Sequence, residues 1–394
     1  MRRKAVCIGM SVFMMVFLTG CWDMKEIEHT RYVYAIGVDY VNNNQVIYAQ
    51  IIPFTNIAKQ EGGGGAVPAP IWVGKSVGKT FDIATDNLYT TAQQRYSWGH
   101  VAALVFTERA LKNKKVIEDV LDVLERYNEI RKTIWVSGTK ERLNDLFIAK
   151  PALTFSIAYS RLSDPDDTYL QYSIVKPITL REFMISTKES GATTILPYLK
   201  ISRNNWKEDK KKKEVLMLDG VGILQQGKFK GHMPRTKIQG IRWMQKQTAR
   251  TALYIFDGKE PVASLSLGKP KIKITPQTKN GRVTFNIQVS IKGSMIEVEK
   301  TLSQEQLQKK AENRIQGEIR RTFREGIKMN ADVFQLSNTL YRENPRAWHE
   351  LAKNNELKIS DDSLQSVEVK VEIYSSGTSK NREKNAKGNS PAGR

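Results

Sequence analysis

Three segments toward the end of the chain alternate apolar and polar residues one by one: 271–274 (KIKI), 283–291 (VTFNIQVSI) and 367–373 (VEVKVEI). Successive side chains on a strand point to opposite faces. The pattern therefore predicts strands with one buried and one wet face, the mark of an antiparallel sheet. Between the second and third segments, Leu307, Ala311, Ile315, Ile319, Phe323 and Ile327 recur every four residues. That spacing lays an apolar stripe along one helix, and Ser303 with Gln306 supplies a capping box at its start. The stripe predicts a long helix covering the sheet. Upstream, 215–224 and 227–229 read as a hairpin around Gln225-Gln226, and Ile238, Ile241 and Trp243-Met244 as a short helix.

The first half mixes the two periods. Residues 31–39 (RYVYAIGVD) and 45–53 (QVIYAQIIP) predict two strands around Asn42-Asn43-Asn44, an Asn-rich turn between β-branched and aromatic runs. Val77, Phe81, Ala84 and Leu88 predict a helix over 76–94, and the continuous run 100–106 (HVAALVF) a buried strand. A helix carrying Val116, Val120, Val123 and Leu124 follows, then a strand at Ile134-Trp135-Val136 and a helix over 140–147. Strands alternating with helices favour a mixed α/β unit. Periodicity weakens over 151–205, where a turn at 163–167, a short helix over 180–185 and a strand over 193–201 suggest a small middle domain. The Gly-rich 61–70 (EGGGGAVPAP) and the basic 207–213 (KEDKKKK) read as loops, and the residues beyond 377, which lack hydrophobes, as a disordered tail.

The amino terminus has its own logic. Arg2, Arg3 and Lys4 precede an uncharged apolar run over 5–18, too short to span a bilayer at roughly 20 residues but suited to a signal-peptide core. The run ends in Leu18-Thr19-Gly20-Cys21, which looks like a lipobox. There the thiol receives diacylglycerol before cleavage makes Cys21 the first residue of the mature protein, and Cys21 also carries a fatty acid such as palmitate. The other cysteine, Cys7, lies in the segment to be removed, so the mature chain is expected to hold no disulfide, thiol metal site or cysteine nucleophile. No later stretch is long and apolar enough for a span, so the lipid on Cys21 is the expected anchor.

The expected architecture is thus α+β and multi-domain. It comprises a signal peptide (1–20), a mixed α/β domain (21–150), a small middle domain (151–212), a C-terminal domain of antiparallel sheet and long helix (213–377), and a basic tail (378–394). The formal net charge of +21 falls to +18 without the three cations of the signal. Such a charge suggests nucleic acid, but export argues against that partner, and anionic lipid headgroups suit a tethered domain better.

Catalytic patterns fail on inspection. Residues 73–80 (VGKSVGKT) tempt a phosphate-loop reading, yet the glycine that the loop needs is Val73 or, counted from Gly74, Ala69. His349-Glu350 opens like a zinc-protease helix, but position 353 is Lys353. The four histidines (His29, His100, His232, His349) show no ligand spacing, and no pattern assigns a catalytic residue, a metal or a bound cofactor.

Several short motifs, taken in order, resemble the Ger(x)C family of spore germination lipoproteins. They are Gly20-Cys21-Trp22-Asp23 with Glu26-Ile27, Ala35-Ile36-Gly37-Val38-Asp39, 126–131 (RYNEIR), and 218–223 (LDGVGI) with Gly231. Ala331-Asp332-Val333-Phe334 and Asn344-Pro345-Arg346-Ala347-Trp348 complete the set. The resemblance implies an α+β fold of three domains and a non-enzymatic C subunit of a nutrient germinant receptor. It implies attachment to the outer face of the spore inner membrane in an endospore-forming Gram-positive bacterium, beside polytopic A and B subunits. It leaves contact with the small-molecule germinant open and carries over no catalytic residue. The alternative is a solute-binding lipoprotein of an import system, built from two lobes of repeated βαβ units.

Overall fold

The computed structural model describes residues 30–52, 70–149, 159–279, 281–299, 302–353 and 355–374. Cys21 and the lipobox expected at 18–21, most of the Gly-rich stretch and the basic tail lie outside these residues.

Strand β1 (Thr30–Val41) turns through Asn42 and Asn43, both at positive φ, into β2 (Asn44–Ile52). Two left-handed residues match the twist of a tight hairpin, so the Asn-rich turn does what its sequence predicts. Strand β3 (Trp72–Gly78) pairs antiparallel along β2, and β4 (Arg95–Ser97) and β5 (Ala103–Thr107) pair parallel to β1. Next come β6 (Trp135–Thr139), the short β7 (Ile178–Thr179), β8 (Thr193–Glu208), β9 (Lys211–Gln225) and β10 (Lys228–Pro234). The order β10-β9-β8-β6-β5-β1-β2-β3 puts four parallel strands at the centre and antiparallel hairpins on both flanks. Every residue of β5 is buried, as its unbroken apolar run requires when both faces are covered.

Helices α1 (Phe81–Tyr89), α2 (Glu108–Leu111), α3 (Lys114–Arg126) and α6 (Leu180–Lys188) cover one face through Phe81, Leu111, Ile117, Leu124 and Phe183. Helix α4 (Leu143–Ile148) contributes Leu143 and Phe147 to a smaller cluster with Ala35 and Val105, and α5 (Asp166–Gln171) lies in the connection to α6.

The second sheet holds β11 (Thr251–Asp257), β12 (Glu260–Leu267), β13 (Lys271–Lys279), β14 (Arg282–Val298) and β15 (Leu364–Tyr374). Helix α7 (Gln304–Lys328) packs on it with the capping box of Ser303 and Gln306 in place. Its Leu307, Ala311, Ile315, Ile319 and Phe323 are buried, each worth roughly 1.5–3 kcal/mol for a large side chain. Helices α8 (Leu336–Glu343) and α9 (Pro345–Leu351) complete this half. Val221, Ile223 and Met233 of the first sheet join the core that α7 and the second sheet build, so apolar packing runs from one half into the other.

Four local expectations are revised. The helix expected over 76–94 begins at Phe81, and Val77 lies in β3 with an exposed side chain. Pairing along β2 claims residues 72–78, and the Thr80 hydroxyl then caps the helix by accepting from Ile83 N at 3.3 Å. The 207–213 stretch is the end of a hairpin, with Lys207 opposite Lys212 and Asp209 at positive φ in the turn; its exposure is as expected for so many charges. The helix expected near 238–244 is a single 3-10 turn, Ile241–Trp243. Finally, β13, β14, β12 and β11 pair antiparallel, but β15 runs parallel to β14, because α7 carries the chain back across the sheet as a crossover. Strands β11 and β12 escaped the sequence reading: Tyr254 and Phe256 put apolar residues on the exposed face of β11, and β12 alternates only over 263–267.

Candidate functional site

The motif residues of the second half converge where it meets the first. Asp332 is 2% exposed and accepts from Phe334 N at 3.3 Å and Ser337 N at 2.7 Å. Burial pushes its carboxyl pKa up, and these backbone donors pull against that shift. The Asp332 loop thereby sets the start of α8. Asn344 ends α8 and caps α9, accepting from Ala347 N at 3.1 Å, with Pro345 at the first helical position where no N–H is needed. Trp348 is fully buried and donates from Nε1 to Ser337 Oγ at 2.9 Å.

This knot closes onto the turn after α6. Asn338 donates to the Ser190 carbonyl at 3.2 Å, and Arg342 pairs with Glu189 at 2.7 Å. Gly191 sits at φ +69°, and a Cβ there would lie 2.9 Å from Ser337 Oγ and 3.1 Å from Trp348 Nε1. Only glycine meets both demands. Beside this joint lies a cavity of about 430 Å³, lined among others by Lys114, Glu118 and Glu125 of α3, Lys188, Gln226 and Asn355. Its charges are already matched, Lys114 to Glu118 at 3.2 Å and Lys188 to Glu125 at 2.8 Å, and Gln226 donates to the Asn355 carbonyl. Such a lining mixes paired charges with apolar surface from Ile117 and Leu121, and it is assembled from both halves of the chain.

The remaining motifs among the described residues make local contacts. Asp39, buried at the end of β1, accepts from Thr107 Oγ1 at 2.6 Å and Arg109 Nε at 3.0 Å, which fixes the chain leaving β5. At Gly220 a Cβ would come 2.1 Å from the Met233 carbonyl, so the LDGVGI motif permits close approach of β9 and β10. Asp219 pairs with Lys200 at 2.6 Å and lies 3.2 Å from His232 Nε2. Arg126 pairs with Asp122 on α3, and Arg131 is exposed. His100 stands edge-on to Tyr32, and His349 to Trp348 and Tyr341. Among the described residues, no group of three or more His, Cys, Asp or Glu could hold a metal. No described helix is long and apolar enough to cross a membrane.

Sequence reasoning missed one buried charge network. Arg242 pairs with Glu318 at 2.9 Å, Trp243 Nε1 donates to the same carboxylate at 2.8 Å, and Arg314 reaches it at 3.1 Å. Glu318 is next to Ile319 of the apolar stripe, but nothing in the four-residue spacing marks it as buried.

The geometry defines a two-sheet α+β protein whose described motif residues build joints between its elements. Residues 23–201 match the family described as spore germination protein N-terminal domain, and 219–377 the one described as spore germination B3/GerAC like, C-terminal. The chain belongs to the Ger(x)C family of spore germination proteins. It is 24% identical over 399 residues to spore germination protein KC of Bacillus subtilis (strain 168), covering 95% of this chain and 96% of that protein. Against spore germination protein B3 of the same organism the identity is 23% over 390 residues, with 95% and 99% covered. The crystal structure of the GerBC protein aligns at a TM-score of 0.49 and 16% identity, covering 89% of this chain and 99% of that one.

Proposed function

We propose that the protein is the membrane-anchored, non-catalytic C subunit of a spore nutrient germinant receptor, needed for nutrient-triggered germination. In this reading Cys21 carries diacylglycerol and a fatty acid, and the folded domains stand on the outer face of the spore inner membrane beside polytopic A and B subunits. The observation that carries it is the order of the matches: both germination domains, over 23–201 and 219–377, directly behind a Leu18-Thr19-Gly20-Cys21 sequence. The net charge of +18 expected after signal removal adds attraction to anionic headgroups within a Debye length. The importer alternative calls for two βαβ lobes, which the antiparallel pairs β11–β12, β12–β14 and β13–β14 disfavour.

The test is affinity purification of the tagged protein from detergent-solubilised membranes of dormant spores, with mass spectrometry of what co-elutes. Co-elution of polytopic A and B subunits is the expected result. Recovery alone, or with importer subunits, overturns the reading.

A further inference from the structure

A second cavity, of about 40 Å³, lies between the segment 159–178 and strands β6, β8 and β9. Its walls are mostly apolar and include Tyr169, Pro177, Pro197 and Leu218. The charged member of the lining is Arg161, half-buried on the wall. Among the described residues Arg161 has no hydrogen-bond or ion-pair partner, and the charge that acts on it is Arg235, of the same sign. Burial, with that repulsion added, lowers the guanidinium pKa. Arg235 lies over the ring of Tyr172 at 5.8 Å, and Tyr172 also lines the cavity. Arg161 thus lines a mostly apolar hole without an ion-pair partner among the described residues, and the second guanidinium stands over the wall residue Tyr172 rather than on the lining itself.

A partly buried cation is ordinarily paired, since removing it from water without a partner is costly. An anion in the cavity would supply the missing charge, and guanidinium suits a planar carboxylate because it can donate two parallel hydrogen bonds. The apolar walls disfavour a multiply charged, strongly hydrated anion and favour one with a hydrocarbon body. We propose that this cavity binds a small organic monocarboxylate, its carboxylate on Arg161 and its apolar body against Tyr169, Pro177 and Leu218. Because one water needs about 10–15 Å³ of such space, the cavity takes only a few heavy atoms. Acetate fills that space, and the added carbons of propionate and isobutyrate reach past Tyr172 at the exposed rim.

The experiment titrates the full chain in detergent with acetate, propionate and isobutyrate by ligand-observed NMR, with isobutyramide and inorganic phosphate as controls. Saturable binding that strengthens from acetate to isobutyrate is expected, with isobutyramide and phosphate each at least tenfold weaker. Arg161→Gln should weaken isobutyrate at least tenfold without lowering the melting temperature, because no described partner is lost. Leu218→Phe, which fills the cavity and keeps the cation, should abolish binding by volume alone. No saturable binding of any carboxylate, phosphate binding as tight as isobutyrate, or unchanged affinity in Arg161→Gln overturns the proposal. A site that holds only water gives the first of these results.

Discussion

Trp348 and Ser337 meet across 2.9 Å in the interior, the indole N–H donating to the hydroxyl, and Gly191 of the first half backs onto both. Gly191 thus shares one contact with two residues from a distant part of the chain, and each constrains the others. The contact fixes how α8 and α9 sit on the first half, and with it the cavity beside them.

Truncating that contact should cost stability in graded steps. Trp348→Phe leaves the Ser337 hydroxyl without its buried donor and is expected to cost roughly 1–3 kcal/mol. Trp348→Ala removes the packing as well and should cost about 3–5 kcal/mol. Gly191→Ala forces a Cβ into a left-handed position already crowded by Ser337, at roughly 1–2 kcal/mol from the backbone alone. Urea denaturation of the three variants checks the ranking. Gly191→Ala as stable as wild type would show that the turn can yield.

A different cost attaches to Glu318. Its carboxylate is 3% exposed and gathers Arg242, Trp243 and Arg314. Glu318→Leu should destabilise by about 3–5 kcal/mol, because it strands the Arg242 guanidinium in the interior. Adding Arg242→Met should recover much of that loss by removing the stranded cation. A double variant no more stable than the single one would mean that the network holds α7 through packing rather than charge pairing.

The contrast between Glu318 and its helix shows what pattern carries and what it omits. The stripe from Leu307 to Phe323 was legible because burial on a helix face repeats every three to four residues. Glu318 was not, since its burial depends on Arg242, 76 residues away, and no local period encodes a partner. Val77 misled in the other direction, falling at helical spacing from Phe81 while pairing with β2 decided its structure. Period-two alternation identified β14 and β15 but not that they run parallel, because the alternation reports burial and not the direction of a neighbour. At the joint, Asp332 and Trp348 were legible as motif residues, but their meeting with Ser337 and Gly191 required the fold.

His232 should give the protein a pH dependence with a definite sign. Its Nε2 is buried 3.2 Å from Asp219 but outside hydrogen-bond alignment. Burial lowers the imidazole pKa, Lys140 adds to that, and Asp219 opposes it. The folded state then binds fewer protons than the unfolded one between the depressed pKa and the ordinary value of about 6.5. Unfolding free energy therefore rises with pH across that window. This contribution is complete above about pH 6.5 and is lost as the pH falls toward the folded pKa. His232→Gln should flatten the slope, as read by urea denaturation between about pH 5 and 8. Asp332 has the opposite sign, since its raised pKa favours the folded state only at low pH, so it does not produce a rise through this window. An identical slope in His232→Gln and wild type would assign the dependence to another group.

Attachment to the membrane is expected to rest on one atom. A helix needs roughly 20 apolar residues to cross a bilayer, and the run over 5–18 falls short of that. If the signal is cut before Cys21, the charge and the lipid remain to hold the mature chain. Headgroup attraction is screened within a Debye length and weakens with salt, whereas acyl burial contributes about 0.8 kcal/mol per CH₂ and does not. Cys21→Ala should therefore leave uncleaved precursor, with no incorporation of labelled palmitate. After engineered cleavage, salt should strip the lipid-free chain from membranes that retain the wild-type protein. A Cys21→Ala chain that is still processed and still resists salt extraction would place the anchor elsewhere.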